Sequence, residues 1–262
     1  MSILLPNFSQ FYYGYEVTAE PYNGYIDVNE GAGEIGVEIP VGSYTLTELV
    51  LAIREALNTQ ALLDYTVSVD RATRRITITG SSTFSILAGT GTHIGNGIYS
   101  LLGFAAQNYT GAATYTGQSA SGFCYEPQFK LQSYVGPDDW QQKNEASVNV
   151  SASGSQVEVV NFGVAKFAQF DIKFITNKLM DGFVIKNNTT GLEDARDFLQ
   201  HITSKSFFEF MPNINTPDTY YKVLLESSQD YQDGTGYKLK ELWDQGLPGI
   251  FETGVLKVRV LS

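Results

Sequence analysis

The chain has 262 residues, with 28 acidic side chains against 17 basic ones, and a formal net charge of −11. Nucleic-acid backbones are bound by basic surfaces, so this balance argues against sequence-specific nucleic-acid binding. The single cysteine, Cys124, excludes a disulfide framework and a cysteine-based zinc site, and between two aromatic residues we expect it to be buried.

The hydrophobic fraction of 43% is enough for one large or two small cores. Charged residues make up only 17% of the chain and aromatic residues 13%. This composition is compatible with extensive contact between subunits, and also with a β-rich fold alone. No apolar stretch approaches the length of a membrane-spanning helix, and the N-terminus lacks the basic segment of a secretory signal. We therefore expect a protein made in a cytoplasm, without membrane contact.

The first 42 residues are rich in tyrosine and in turn-forming residues. Strands are predicted near Tyr25–Asn29 and Ile35–Ile39. The segment Phe8–Tyr15 is compatible with an arm that lies on a neighbouring subunit or with a strand inside the chain. Residues 31–36 match G-x-G-x-x-G, but an extended segment ending at Pro40 follows instead of the helix that a dinucleotide site requires.

A capped amphipathic helix is predicted over Thr45–Asn58. Thr45 and Glu48 have the spacing of a capping box, and Leu46, Leu49, Val50, Ile53 and Leu57 fall on one face. Alternating residues then predict strands at Tyr65–Asp70 and Ile76–Gly80, joined by a short turn. We expect Arg71, Arg74 and Arg75 to form a solvated tip at this turn.

This helix and hairpin, followed by Phe-Ser-Ile-Leu and by Leu101-Leu102-Gly103-Phe104, resemble a module of structural proteins from tailed bacteriophages and other large virions. The resemblance covers roughly the first half of the chain. It implies a virion building block and carries no catalytic residue.

Residues 89–97 contain four glycines around His93 and lack the helix and lysine of a phosphate-binding loop, so a mobile or interface loop is expected. The remaining predicted elements are mostly strands, with one capped helix that starts at Thr190. These strands are Ala113–Gln118, Ala146–Val150, Val157–Val160, Phe162–Ile175, Ser206–Met211, Thr219–Glu226 and Val255–Val260, with Tyr237–Trp243 either strand or helical turn.

Together these elements predict an α+β fold of mainly antiparallel, sandwich-like or barrel-like sheets, with one amphipathic helix packed on a sheet in each half. We expect domains at residues 1–122, which include the aromatic arm, and 123–262, or else one sheet system shared by both halves.

The second half, from Phe-Asp-Ile-Lys-Phe-Ile through the helix to the last strand, resembles tail and baseplate ring proteins of bacteriophages. This implies a non-enzymatic ring subunit of the virion tail, near the baseplate, the distal tail or the tube end. By family analogy its partners are copies of itself in sixfold rings and other tail proteins. The expected interface residues are Tyr12, Tyr13, Tyr15, Arg74 and Trp140.

No catalytic, cofactor or metal site is predicted. Residues 117–122 miss the G-x-S-x-G spacing of a nucleophile elbow, and residues 230–241 lack the glycine of a calcium loop. Two other classes stay open. A carbohydrate-binding or host-receptor module would expose Trp140 or Trp243 beside carboxylates. A tail-spike hydrolase would need two carboxylates converging in one pocket.

Overall fold

The computed structural model describes residues 9–136, 142–150, 157–176, 194–216 and 218–261, with backbone alone for 142–150 and 157–163. The chain divides into two compact units. The first is built around Gln10–Glu126, and the second around Pro127–Met180 and Ala195–Ser262.

The first unit contains nine strands and one α-helix. They are β1 (Gln10–Tyr13), β2 (Tyr15–Val17), β3 (Tyr25–Asn29), β4 (Glu34–Glu38), β5 (Gly42–Tyr44), α1 (Leu46–Gln60), β6 (Tyr65–Asp70), β7 (Arg75–Leu87), β8 (Asn108–Thr116) and β9 (Cys124–Tyr125). An antiparallel sheet in the order β4-β3-β7-β6, with β8 also paired to β7, forms its centre.

Helix α1 begins where the sequence predicts it. The Thr45 hydroxyl accepts the Glu48 backbone N–H at 3.2 Å, and the Glu48 carboxylate accepts the Thr45 N–H at 2.8 Å, which completes the predicted capping box. Its apolar face is buried in the core of the first unit, with Leu46, Leu49, Ile53 and Leu57 fully covered. Helix and hairpin are therefore confirmed.

Strand β7 continues seven residues beyond the predicted end at Gly80. The serine and threonine residues at 81–83 interrupt the hydrophobic alternation, and the register with β8 shifts there. The strand then resumes with buried Phe84 and Ile86. The Phe84 ring packs edge-on against Tyr65 at 5.1 Å and Tyr115 at 5.0 Å, which fixes this second half on the core.

The aromatic N-terminal segment forms short strands within the chain. Strand β1 pairs with β9, and β2 pairs with β5. The sequence allowed either an arm on a neighbouring subunit or a strand within the chain. The described part of the segment forms the strand within the chain. Cys124, on β9, is fully buried as predicted, and this burial raises the pKa of its thiol.

The second unit is also mainly antiparallel β. Its elements are β10 (Gln132–Val135), β11 (Gln142–Val150), β12 (Val157–Asp171), β13 (Ile175–Thr176), α2 (Ala195–Thr203), β14 (Phe208–Met211), β15 (Tyr221–Ser228), β16 (Lys240–Glu241), β17 (Ile250–Glu252) and β18 (Val255–Val260). Strands β10-β12-β18-β15-β14 form its main sheet, β13-β17-β16 a smaller one, and β11 pairs with the first part of β12.

The predicted α+β class, dominated by antiparallel sheets with one helix in each half, is confirmed for the described residues. Strand β18 has the predicted bounds, whereas β12 is one continuous strand where two were predicted. The start of the second helix, predicted at Thr190, lies outside the described residues. Within the described ranges, no helix is both long and apolar enough to cross a membrane.

Candidate functional site

Three side chains that the sequence keeps far apart meet on the first unit: Asp27, Glu34 and His93. Asp27 stands on β3 between Ile26 and Val28, and all three residues are almost completely buried. A carboxylate in such a strand needs a partner, because burial of an unpaired charge is costly. His93, from the glycine-rich loop, is that partner.

His93 contacts the Asp27 carboxylate at two points. The His93 ring nitrogen Nδ1 lies 2.7 Å from Asp27 Oδ1, and the His93 backbone N–H donates to Oδ2 at 2.8 Å. Tyr25 stacks on the imidazole with 3.9 Å between ring centres, and the Tyr99 hydroxyl accepts the Asp27 backbone N–H at 2.6 Å. The loop is therefore tied to β3 through both carboxylate oxygens.

Two glycines make this approach possible. A Cβ on Gly91 would lie 2.3 Å from Asp27 Oδ2, and one on Gly36 would lie 2.7 Å from His93 Cε1. Both distances are well below contact distance. The glycines that predicted a mobile or interface loop thus provide room for a close contact with the sheet.

Glu34 completes the cluster from β4. Its carboxylate accepts the Thr92 backbone N–H at 2.6 Å, and this bond, together with the nearby His93, lowers the pKa of Glu34. The ligand atoms of the three side chains lie within 4.8 Å of one another. However, His93 Nδ1 and Asp27 Oδ1 are at hydrogen-bond distance, so a cation would have to replace their shared proton.

A buried carboxylate that orients a histidine also occurs in enzymes, where the second ring nitrogen acts as a general base. Such a role requires a nucleophile within reach. In the described part of the chain, no serine, threonine or cysteine side chain hydrogen-bonds to the His93 ring. The geometry is that of a clamp which holds the glycine-rich loop against the sheet.

The predicted interface residues are not gathered at one exposed surface. Tyr12 and Tyr15 are buried, with hydroxyls that bond Gln10 at 2.8 Å and the Ser121 carbonyl at 3.1 Å, while Tyr13 is half-buried. Trp140 lies outside the described residues. A part in subunit contacts stays a prediction for these tyrosines, and the burial of Tyr12 and Tyr15 within a single chain does not favour it.

Arg74 corrects the prediction of a solvated arginine tip. It is only 5% exposed, and its guanidinium meets the Glu126 carboxylate at 2.7 Å. Its backbone φ of 58° turns the chain so that the side chain points inward. Arg71 lies close by, where it donates to the Thr47 hydroxyl at 2.6 Å and covers the Tyr12 ring.

Trp243, named above as a possible sugar-binding residue, and His201 lie on the second unit. Trp243 is 66% exposed on a short helical turn beside Asp244. The nearby Glu241 carboxylate accepts the Gly249 backbone N–H at 2.6 Å. His201 is half-buried on α2, and this burial lowers its pKa.

The first unit contains a long segment without charged residues, which was not among the predictions. From Ile76 to Tyr125 the chain contains no aspartate, glutamate, lysine or arginine, and His93 is the sole titratable base there. Much of this stretch is exposed, including most of β8 and the turns on either side of it. In a chain of net charge −11, this is a long uncharged segment, although Glu34 from β4 lies against its Thr92. Neither a protein-family model nor a curated protein matches this sequence.

Proposed function

We propose that this chain is a non-enzymatic structural protein of a virion, a ring subunit of a bacteriophage tail near the baseplate, the distal tail or the tube end. The observation that carries the proposal is the long segment of residues 76–125, which has no charged side chain and many exposed residues. At this segment, two copies of an acidic chain can meet with the lowest electrostatic repulsion.

Electrostatic repulsion limits where two copies of this chain can meet. Two copies with a net charge of −11 repel each other wherever their acidic residues face one another. Stable contacts between subunits also deplete charged residues at their centre, because charges lose hydration there. An exposed region without charges avoids both costs. A ring then needs contacts between two different patches of the same chain, repeated by rotation.

The sequence resemblance supports the virion assignment. Its elements occur in the expected order: the capped helix, the hairpin of β6 and β7, and the Leu-Leu-Gly-Phe turn. Leu102 and Phe104 of this turn are buried in the core of the first unit. Among the described residues, the most enzyme-like pair is Asp27 and His93, and both Asp27 carboxylate oxygens are engaged in holding a loop through His93 Nδ1 and its backbone N–H.

Light scattering coupled to size-exclusion chromatography, with negative-stain images of the peak fractions, tests the proposal. We expect the mass to rise with concentration and the images to show closed rings. Rings with six copies would support the family analogy. A chain that remains monomeric at every concentration, alone and mixed with phage tail proteins from the same source, would contradict a ring subunit.

One observation favours a second candidate, a glycan-binding or receptor-binding module of a tail. The exposed Trp243 ring offers an apolar face of the kind that stacks on sugars. A glycan array would test this with Trp243→Ala, and with Tyr231→Ala, an aromatic residue 44% exposed, as the matched control. Glycan binding that is lost only in the tryptophan variant would favour the module.

A further inference from the structure

We infer that the outer edge of strand β8 pairs with a strand of a second copy of this chain, so that the sheet of the first unit continues into its neighbour. The inference rests on the proposed function and names the surface through which copies join. Among the described residues, β8 pairs only with β7, which leaves its other edge available.

The hydrogen-bond pattern shows which backbone groups are free to pair. Gly117, just after β8, donates its N–H to the Ile76 carbonyl at 2.9 Å, and Thr116 and Thr114 stand opposite Thr77 and Thr79. In an antiparallel pair, bonded and non-bonded positions alternate. The N–H and C=O groups of Thr114 and Thr116 therefore point away from β7. Both residues are exposed.

The edge lacks the charged residues and proline that usually prevent pairing. Natural edge strands often carry lysine or another charged residue, or a proline, and these residues prevent a further strand from adding. Strand β8 contains none of these. It does have a bulge near Gly111, whose φ is +82°, and its register with β7 also shifts between Ala112 and Thr114, so regular pairing is confined to residues 114–116. Three residues are at the lower end of the usual strand length, which is enough for a short added strand.

The other edges of the same sheet provide an internal comparison. Strand β4 begins with Glu34 and ends with Glu38, and β6 lies between Asp64 and its own last residue, Asp70. These acidic residues would repel a further copy of an acidic chain. Of the edge strands described in this sheet, β8 alone is uncharged.

The occupant is a second copy because of the charge around the edge. A basic partner would gain nothing from an uncharged strand, whereas an acidic copy can approach it without repulsion. The hydroxyls of Thr116 and Thr114, bonded to Thr77 at 2.9 Å and Thr79 at 3.2 Å on β7, stand next to the edge and can also bond to a polar side chain of an added strand.

The test compares two doubly substituted chains. Thr114→Lys with Thr116→Lys places two charges on the edge. The control, Ser82→Lys with Thr83→Lys, adds the same charges at exposed positions inside the register shift of β7. Thr114→Pro provides a third variant, because it removes an outward N–H while leaving the bonds to β7 intact. Circular dichroism melting confirms that each variant is folded.

We expect the wild type and the control to assemble alike by light scattering, and the Thr114 variants to weaken self-association by about tenfold or more. If folded Thr114 variants assemble as well as the wild type, the β8 edge is not the contact, although the ring proposal survives. If the wild type never assembles, either alone or mixed with phage tail proteins from the same source, both the contact and the ring proposal fail.

Discussion

Replacing His93 by alanine tests the clamp between the glycine-rich loop and the sheet. The substitution removes the imidazole at 2.7 Å from Asp27 Oδ1 but keeps the backbone N–H on Oδ2. A hydrogen bond to a charged group contributes about 1.5–3 kcal/mol. The His93 side chain is 33% exposed, so water can replace part of the lost bond. We therefore expect a loss of about 2 kcal/mol in the free energy of unfolding.

Urea denaturation followed by circular dichroism measures this loss, and the melting temperature should fall by roughly 4–8 °C. Ile94→Ala is the control in the same loop, because that side chain is 49% exposed. A double-mutant cycle with Asp27→Asn isolates the pair, since His93→Ala should cost less when the buried carboxylate is absent. An equal cost in both backgrounds, or a loss below about 0.5 kcal/mol, would refute the clamp.

Three further predictions concern the helix–hairpin region. Thr45→Ala should lower stability by about 1 kcal/mol in urea denaturation, because the Glu48 N–H loses its cap. Asp70 accepts bonds from the Thr73 hydroxyl and the Ala72 N–H, which lower its pKa. The Asp70 carboxylate therefore contributes fully to stability above the unfolded-state pKa near 4, and this contribution is lost as pH falls through the folded-state pKa. The loss of unfolding free energy caused by Asp70→Asn should therefore disappear in acid. Urea denaturation at several pH values measures it. Phe84→Ala should cost about 3–5 kcal/mol by calorimetry or denaturation, because the ring is 3% exposed between two tyrosines.

Local signals made much of the fold predictable. The capping box of α1 and the alternation of β6 and β18 depend on residues a few positions apart, and these elements have the predicted positions. The end of β7 could not be predicted, because Ser82 and Thr83 break the alternation while a register shift lets the strand continue. Continuity across a bulge depends on the neighbouring strand, which sequence periodicity does not include.

The clamp depends on contacts between distant residues, so it was not predicted. Asp27 and His93 are 66 positions apart, and Arg74 and Glu126 are 52 apart. A signal for the first pair did exist, since an aspartate between Ile26 and Val28 in a buried strand requires a partner. For Arg74, the turn position suggested solvent, whereas its burial goes with an ion pair to Glu126, which periodicity along the turn does not include.

The arrangement of strands also has a consequence for the order of folding. In the first unit, α1, β6 and β7 follow one another and pack together, so their contacts close short loops. In the second unit, β12 pairs with β18, and the residues in contact, such as Phe170 and Leu256, are separated by most of that unit's sequence. Contacts of this kind form slowly because long loops must close first. We therefore expect the helix and hairpin to form early in folding, whereas the main sheet of the second unit can be completed only after β18 has been synthesised.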